Sequence, residues 1–489
     1  MLALLSDAAV YGVSSMMTRL IGVLLIPVLT DYLTLREYGV VSMLTIVTSL
    51  FQPLGRLGIT NAIFRRFNQE KDEHARQRVL GTAFISVVVT SLFVLAVAMA
   101  FAGPISVFIV GDKSAVGLVR ISLWTSVATT VGTVPFVVLR ATRRVKAAAA
   151  VNVLKTLLTM VAIIWLVVSW DQGVWGVVIG TLVGEVSFAL VLIGITMPAM
   201  TAGFDWATWK RMASYGLPFV PHHLQAVGLD LFGLYMVGEM LGLGAAGLYG
   251  LATRFATPVT FIVNAVQASW VPYKFQIHSE DADSKPFFQS TFTYYVATLS
   301  YLWVGVALWG PDALRLLATS AEYYDAAHLI WAVALIPVAQ GLYFMSSTGL
   351  ELTDDTRPLP LVSFVGLMTV VGTGFVFIRP LDLGALGAAL ATAVGWLAMS
   401  AVVYALSQRR FAIAYDWPTI VAFAVMAALF VIVGGMVVQP LPVLPRLALI
   451  TAMSLAYPAI GLVFLLRSRD ERDRMLHLLS KFRLMPSDR

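Results

Sequence analysis

Long apolar segments separated by short polar breaks recur along the whole chain. Each segment is about 20 residues long, which is the length of helix that crosses the hydrocarbon of a bilayer. The apolar residues run continuously and do not alternate as they do in a membrane β-barrel. The pattern predicts an all-α integral membrane protein with about fourteen transmembrane helices. The predicted spans are 8–30, 37–63, 79–102, 118–139, 148–170, 175–197, 214–240, 246–271, 287–310, 326–350, 359–379, 385–407, 418–437 and 446–466.

Lysine and arginine are concentrated in alternate breaks between these segments. Short cytoplasmic loops carry most of the Lys and Arg of a membrane protein. The rule places both termini in the cytoplasm, and it assigns Arg65, Arg143, Lys274 and Lys285 to cytoplasmic loops. The first apolar segment follows Asp7 and has no basic region before it, so we interpret it as a retained helix and not as a signal peptide.

The composition supports a membrane protein and excludes several kinds of site. Hydrophobic residues make up 59% of the chain, charged residues 12%, and the mean hydropathy is +0.83. The chain has no cysteine, which excludes disulfides and thiolate metal sites. No Gly-Lys dipeptide, HExxH or GxSxG motif occurs, so a P-loop ATPase or a hydrolase with these motifs is excluded. The net charge of +6 follows from topology and needs no nucleic-acid partner.

Two glycine-rich segments match at a constant offset. The small residues of the sixth predicted helix and those of the twelfth are Gly173, Gly176, Gly180, Thr181, Val183 and Gly184, and Gly384, Gly387, Ala391, Thr392, Val394 and Gly395. Repeats six helices apart have the same orientation in the membrane, so they predict two parallel six-helix lobes. We expect an N-terminal lobe at 1–211, a C-terminal lobe at 212–410, two extra helices at 411–466 and a basic cytoplasmic tail at 467–489. The extra helices are almost free of polar residues, as expected for helices that face lipid or an acyl chain.

Polar residues form a stripe on one face of the second predicted helix. The members of the stripe are Thr45, Ser49, Gln52, Arg56 and Thr60. A charged residue inside the bilayer costs at least about 2.5–3.5 kcal/mol on insertion scales, so it faces a cavity or a partner. Arg56 and Arg19, which lies midway along the first helix, have no carboxylate in their own stripe. We therefore predict that Arg19, Arg56 and Gln52 line a polar cavity, where arginine suits bidentate binding of a diphosphate.

The seventh and eighth predicted helices carry a second polar face. Arg254, Asn264 and Gln267 lie on the eighth helix, and Asp230 lies on the seventh. We predict that the first three line the same cavity. Asp230 is a candidate for coupling to an ion, and a structural ion pair between Asp230 and Arg254 is an equal alternative because both lie at a similar depth.

Two further charges lie on the fifth and sixth predicted helices. Glu185 is in the middle of the sixth helix, where it either couples to an ion or has a packing or pairing role. Lys155 either lines the site or extends its amino group to the nearer membrane surface.

Several loose motifs give the chain a resemblance to Wzx-type polysaccharide flippases of the MOP superfamily. The motifs are the Thr18-Arg19-Leu20-Ile21-Gly22 stretch, Glu37-Tyr38-Gly39, Leu57-Gly58 with Asn61 and Arg65-Arg66, Gly247-Leu248-Tyr249, and the Gly384 and Gly387 pair. The resemblance extends over nearly the whole chain. It implies a V-shaped bundle of two six-helix lobes followed by two helices, which works by alternating access.

The function that the resemblance implies is transport without catalysis. The expected substrate is an undecaprenyl-diphosphate-linked oligosaccharide, moved to the periplasmic leaflet of the bacterial inner membrane for a surface polysaccharide such as O-antigen, lipopolysaccharide or exopolysaccharide. H⁺ or Na⁺ coupling, no other cofactor, and contact with polymerase or assembly proteins are expected.

Other functions stay open at this point. A lipid II flippase and an ion-coupled multidrug exporter belong to the same superfamily. A membrane polymerase or acyltransferase is a third reading, but the longest outer loops, near 103–117 and 311–325, leave little room for a catalytic site.

Overall fold

In the computed structural model the described residues, 22–60, 62–63, 72–142, 144–200, 203–217, 219–280, 284–353 and 358–466, form helices and no strands. Backbone polar groups cannot remain unpaired in lipid, and an α-helix satisfies them within one segment. We number the helices α1 (Gly22–Tyr32), α2 (Leu35–Arg56), α3 (Glu73–Ala100), α4 (Ala102–Val110), α5 (Val116–Ala141), α6 (Val145–Ile164), α7 (Gly173–Thr196), α8 (Trp206–Gly216), α9 (Phe219–Leu241), α10 (Leu243–Phe255), α11 (Thr257–Glu280), α12 (Lys285–Leu317), α13 (Ile330–Ser346), α14 (Thr348–Leu352), α15 (Leu359–Ile378), α16 (Gly384–Arg410), α17 (Trp417–Val433) and α18 (Val443–Leu466).

Twelve helical segments of the described residues are long and apolar enough to cross a membrane. They coincide with every predicted span except the first and the eighth. The described part of the first helix is the short segment Gly22–Tyr32, and the eighth span is divided into α10 and α11. The all-α membrane fold is confirmed, whereas the count of fourteen spans stays a prediction.

Side-chain caps and proline define several helix ends. Thr34 and Glu37 form a capping box at the start of α2, where Glu37 Oε2 accepts the Thr34 amide at 2.9 Å. Asp205 accepts the Thr208 amide at 2.8 Å at the start of helix α8, and hydrogen bonds from the Thr208 side chain and amide lower the pKa of Asp205. The prediction of one continuous helix over 246–271 was wrong, because α10 ends at Phe255 and a new helix begins at Thr257, with Pro258 in its first turn.

The chain divides into two compact units. Unit 1 contains Met1–Arg254, Leu314–Leu329 and Arg357–Met399. The segment Leu314–Leu329 packs on the start of the chain in unit 1, where the Tyr323 hydroxyl donates to the Leu33 carbonyl at 2.7 Å. Unit 2 contains the remaining helices, α11 to α14, α17 and α18 among them. The predicted lobes, 1–211 and 212–410, divide the chain differently from these two units, and they stay a prediction.

The two glycine-rich segments form equivalent helical hairpins within unit 1. In the α6–α7 hairpin, Asp171 and Gly173 have positive φ angles of 51° and 48°, and in the α15–α16 hairpin Asp382 and Gly384 have 52° and 55°. The amide of Gln172 donates to Leu166 at 3.1 Å, and the amide of Leu383 donates to Phe377 at 3.0 Å, at the same offset in sequence. The repeat seen in the sequence is therefore a repeat of backbone structure.

Glycines let the two helices of each hairpin approach closely. A Cβ atom at Gly176 would meet the backbone of Leu166, and one at Gly387 would meet the backbone of Phe377. Gly395 approaches Val370 in the same way that Gly184 approaches Thr159. Close backbone approach is the main source of helix association in lipid, so these glycines fix where the hairpin helices cross.

Unit 2 holds its last two helices by polar contacts that the sequence did not predict. Arg446 of α18 lies 2.7 Å from Asp312 of α12, and their side chains are 11% and 15% exposed. The Tyr457 hydroxyl donates to Ser300 at 2.7 Å. The sequence predicts that these helices face lipid or an acyl chain, and the structure adds that one side of α18 contacts α12.

Another polar contact in unit 2 corrects the position of Lys274. Its side chain is only 1% exposed, and it forms an ion pair with Glu351 of α14. Lys274 therefore lies inside α11 and not in a loop, because α11 extends to Glu280.

Adding one methyl group to the hairpin contact should destabilise the protein. A Cβ at Gly180 would lie 2.8 Å from the backbone nitrogen of Ile163, so we expect Gly180→Ala to cost about 1–3 kcal/mol through overpacking. Gly194 on the same helix has open space around it and is the matched control. Thermal unfolding of the purified protein in one detergent measures both variants. Equal melting temperatures for Gly180→Ala and Gly194→Ala would contradict the importance of this contact.

Candidate functional site

Unit 1 contains a cavity of about 340 Å³, which we call the hydroxyl pocket. Five helices contribute to it, α1, α2, α5, α6 and α7, and Arg254 of α10 lines it as well. Its polar lining consists almost entirely of hydroxyl groups. These are Tyr38, Thr45, Thr48, Ser49, Ser122, Thr125, Thr156, Thr159 and Thr181.

Most of these hydroxyls already donate a hydrogen bond within their own helix. Thr45 donates to the Ser42 carbonyl at 2.7 Å, and Thr181 donates to the Val177 carbonyl at 2.7 Å. Thr48, Ser122, Thr125, Thr156 and Thr159 do the same at 2.9–3.3 Å. A hydroxyl has one proton and two lone pairs. Most hydroxyls of the pocket can therefore accept further hydrogen bonds from a ligand but cannot donate one, because their proton is already bonded to a backbone carbonyl.

A charged cluster lies one helical turn beyond the hydroxyl pocket. Lys155 Nζ is 2.5 Å from Glu185 Oε1, and their side chains are 23% and 12% exposed. Thr159 follows Lys155 by one turn of α6, and Thr181 precedes Glu185 by one turn of α7. The pocket and the cluster thus form one polar column through the helices of unit 1.

Arg56 of α2 belongs to the same charged cluster. Its Nη2 atom donates to Gln52 Oε1 at 2.6 Å. Glu185 lies within electrostatic range of the guanidinium, so the carboxylate that is absent from the Arg56 stripe comes from α7. In the described part of the chain, the buried Arg56 Nε and Glu185 Oε2 atoms have no hydrogen-bond partner. Lys155 contacts Glu185 directly and Arg56 lies within its electrostatic range, so two cations accompany one carboxylate among the described residues of the cluster.

The structure places the other predicted site residues as follows. Arg254 lines the hydroxyl pocket. Asp230 Oδ1 accepts a hydrogen bond from Trp396 Nε1 at 3.1 Å, and the described residues show no ion pair between Asp230 and Arg254. Asn264 and Gln267 lie on α11 in unit 2, so this site does not include them. Arg19 lies outside the described residues.

The sequence prediction omitted most residues of the hydroxyl pocket and the pairing of Lys155 with Glu185. It gave Lys155 no partner, although Glu185 pairs with it from the next helix. The signal that was available is the recurrence of hydroxyls at helical spacing, Ser122 with Thr125 on α5 and Thr156 with Thr159 on α6. This spacing places two hydroxyls on one helix face in an otherwise apolar segment.

The comparison with protein families gives one match. The sequence model of a family described as polysaccharide biosynthesis protein matches residues 28–321. No curated protein sequence matches the chain.

Solved structures of MOP superfamily transporters share the fold. The lipid II flippase MurJ in an inward closed conformation has a TM-score of 0.72 at 12% identity, over 92% of this chain and 98% of that one. An inward-facing multidrug resistance MATE family transporter has a TM-score of 0.62 at 16% identity, over 86% and 94%. A MOP superfamily transporter from Pyrococcus furiosus, described with a binding pocket of reverse polarity, has 0.58 at 15% identity, over 86% and 96%. At these identities the likeness establishes the fold alone.

Removing charges from the cluster should reveal that Glu185 serves two partners. Breaking a buried ion pair costs about 3–5 kcal/mol when it leaves an uncompensated charge. We expect Glu185→Ala to destabilise more than Lys155→Ala, because Arg56 still partly compensates Glu185 in the second variant. Thermal unfolding of both single variants and the double variant forms a double-mutant cycle. Additive losses, or a larger loss for Lys155→Ala, would contradict the shared carboxylate.

Proposed function

The chain belongs to the polysaccharide biosynthesis protein family, and on that premise we propose that it is a flippase for an undecaprenyl-diphosphate-linked oligosaccharide. It would carry this lipid from the cytoplasmic to the periplasmic leaflet of the bacterial inner membrane for surface polysaccharide synthesis. The family and the fold indicate a multi-pass membrane transporter or flippase, not a catalytic enzyme.

The observation that carries this proposal is the excess of cations in the polar column. Arg56 and Lys155 share one carboxylate, Glu185, and Arg254 adds a further positive charge at the hydroxyl pocket. Isolated charges are costly at membrane depth. An anionic head group compensates them, and a diphosphate matches the planar donors of arginine. Arg19, Gln52, Asn264 and Gln267 remain proposed contributors to the substrate cavity.

Alternating access of the two lobes, 1–211 and 212–410, would move the head group across. A diphosphate diester carries two negative charges, and moving one charge through 100 mV is worth about 2.3 kcal/mol. A membrane potential that is negative inside therefore favours outward movement of the head group. Asp230 and Glu185 are the proposed sites for H⁺ or Na⁺ coupling, and the N- and C-termini are proposed to be cytoplasmic.

A lipid II flippase is the second candidate function. The similarity to MurJ extends over nearly the whole of both chains, and a lipid II substrate would present the same diphosphate to the cations. The two candidates differ in the group that the diphosphate carries. A multidrug exporter is less well supported, because an excess of cations repels cationic drugs.

Replacing Arg56 tests the proposed function. We expect Arg56→Ala to reduce surface polysaccharide by tenfold or more at equal protein level, because a charge-assisted bidentate contact to phosphate is lost. Arg56→Lys should restore only part of the export, since lysine cannot bind bidentately. The measurement is the amount of surface polysaccharide together with lipid-linked repeat units retained in the cytoplasmic leaflet.

Arg36→Ala is the matched control for this experiment. The Arg36 side chain is 73% exposed, and among the described residues it forms a surface ion pair with Asp112 at 3.9 Å. Such a pair contributes little, so export should be unchanged. Full export by Arg56→Ala would contradict the assignment of Arg56 to the substrate.

A further inference from the structure

The two structural repeats of the chain differ at one point. Three residues of the first repeat, Gly22, Tyr38 and Thr181, have counterparts at the same offset in Gly233, Tyr249 and Thr392. In the second repeat the three are closely packed: a Cβ at Gly233 would meet Thr392 Oγ1 and would lie 2.9 Å from the Tyr249 hydroxyl. In the first repeat all three line the hydroxyl pocket, and a Cβ at Gly22 would meet no described residue within 4 Å. Among the described residues, the first repeat is therefore open where the second is filled.

The lining of this opening indicates the chemistry of its ligand. Seven hydroxyls donate their protons to their own helices, as described above, so they offer lone pairs to a ligand that has many donors. Tyr38 is 2% exposed, and in the described part of the chain its hydroxyl has no hydrogen-bond partner. Apolar side chains such as Leu44 and Val178 supply the rest of the wall. Polar edges combined with apolar faces match a sugar ring.

The charges around the pocket argue against a metal cation. No carboxylate is among the described residues that line it, and its charged lining residue is Arg254. The volume of about 340 Å³ is at the lower end of the range for ligand pockets. This is suitable for one or two sugar residues and too small for a long oligosaccharide.

We propose that the hydroxyl pocket is a subsite for the sugar adjacent to the diphosphate. This proposal rests on the proposed function and specifies which part of the substrate unit 1 binds. The charged cluster lies one turn away along α6 and α7, and Arg56 lies two turns beyond Ser49 on α2, so the diphosphate and the first sugar occupy consecutive sections of the same polar column.

Binding to the purified full-length chain in nanodiscs tests this subsite. The two probes are undecaprenyl diphosphate without sugar and the lipid-linked repeat unit extracted from cells that lack the protein. We expect Tyr38→Phe to weaken binding of the sugar-bearing lipid about five- to tenfold, which corresponds to one hydrogen bond. Binding of the sugar-free lipid should be unchanged.

The second repeat supplies a matched control. Tyr249→Phe removes the same hydroxyl from the filled counterpart and should leave both affinities unchanged. Gly22→Leu places a side chain in the open space and should abolish the preference for the sugar-bearing lipid, so it tests the subsite even if Tyr38→Phe folds poorly.

Three results would overturn the subsite. One is equal weakening of both lipids by Tyr38→Phe, which would indicate a phosphate contact or a structural role. Another is an unchanged affinity for the sugar-bearing lipid in both Tyr38→Phe and Gly22→Leu. The last is a binding loss that appears only in sodium and not in choline buffer, which would indicate a cation. If the wild-type chain binds neither lipid, the proposed function fails together with the subsite.

Discussion

The close approach of helix backbones at glycine is the constraint on which the rest of this structure depends. Lipid is as apolar as a leucine side chain, so burial alone does not decide which faces of two membrane helices meet. For α6 and α7, the faces that meet are determined by the close contacts of Gly180 with Ile163 and of Gly184 with Thr159. Glu185 follows directly after this contact and Lys155 lies one turn before Thr159, so the crossing point of the helices brings the ion pair together.

The membrane-spanning segments could be predicted from the sequence because hydropathy is a local property of each segment. The eighth span was mispredicted because the hydrophobic pattern continues through Ala256 while the backbone does not. The polar stripe on the second predicted helix indicated that Arg56 faces a polar site. The stripe could not identify the nearby carboxylate, because Glu185 lies on a helix more than a hundred residues away, and the rotation of that helix depends on packing.

Buried charges have different roles in the two units. In unit 2 the pairs Lys274 with Glu351 and Arg446 with Asp312 join one cation to one carboxylate, and each pair connects separate helices. Such pairs specify which helix faces meet. In unit 1, Glu185 is shared by Lys155 and Arg56, so the charges do not balance. Sequence composition does not distinguish these cases, since each is a charged residue in an apolar segment.

The hydrogen bonds that the pocket hydroxyls make to their own helices have a consequence for turnover. In the proposed function the transporter has to change back between its conformations with the site empty, and buried donors without partners make such a state costly. Thr181 and the other back-bonded hydroxyls keep their proton bonded to a carbonyl of the same helix whether or not a ligand is present. These hydroxyls therefore add little desolvation cost to the empty state, in contrast to the buried Tyr38 hydroxyl, which has no hydrogen-bond partner among the described residues.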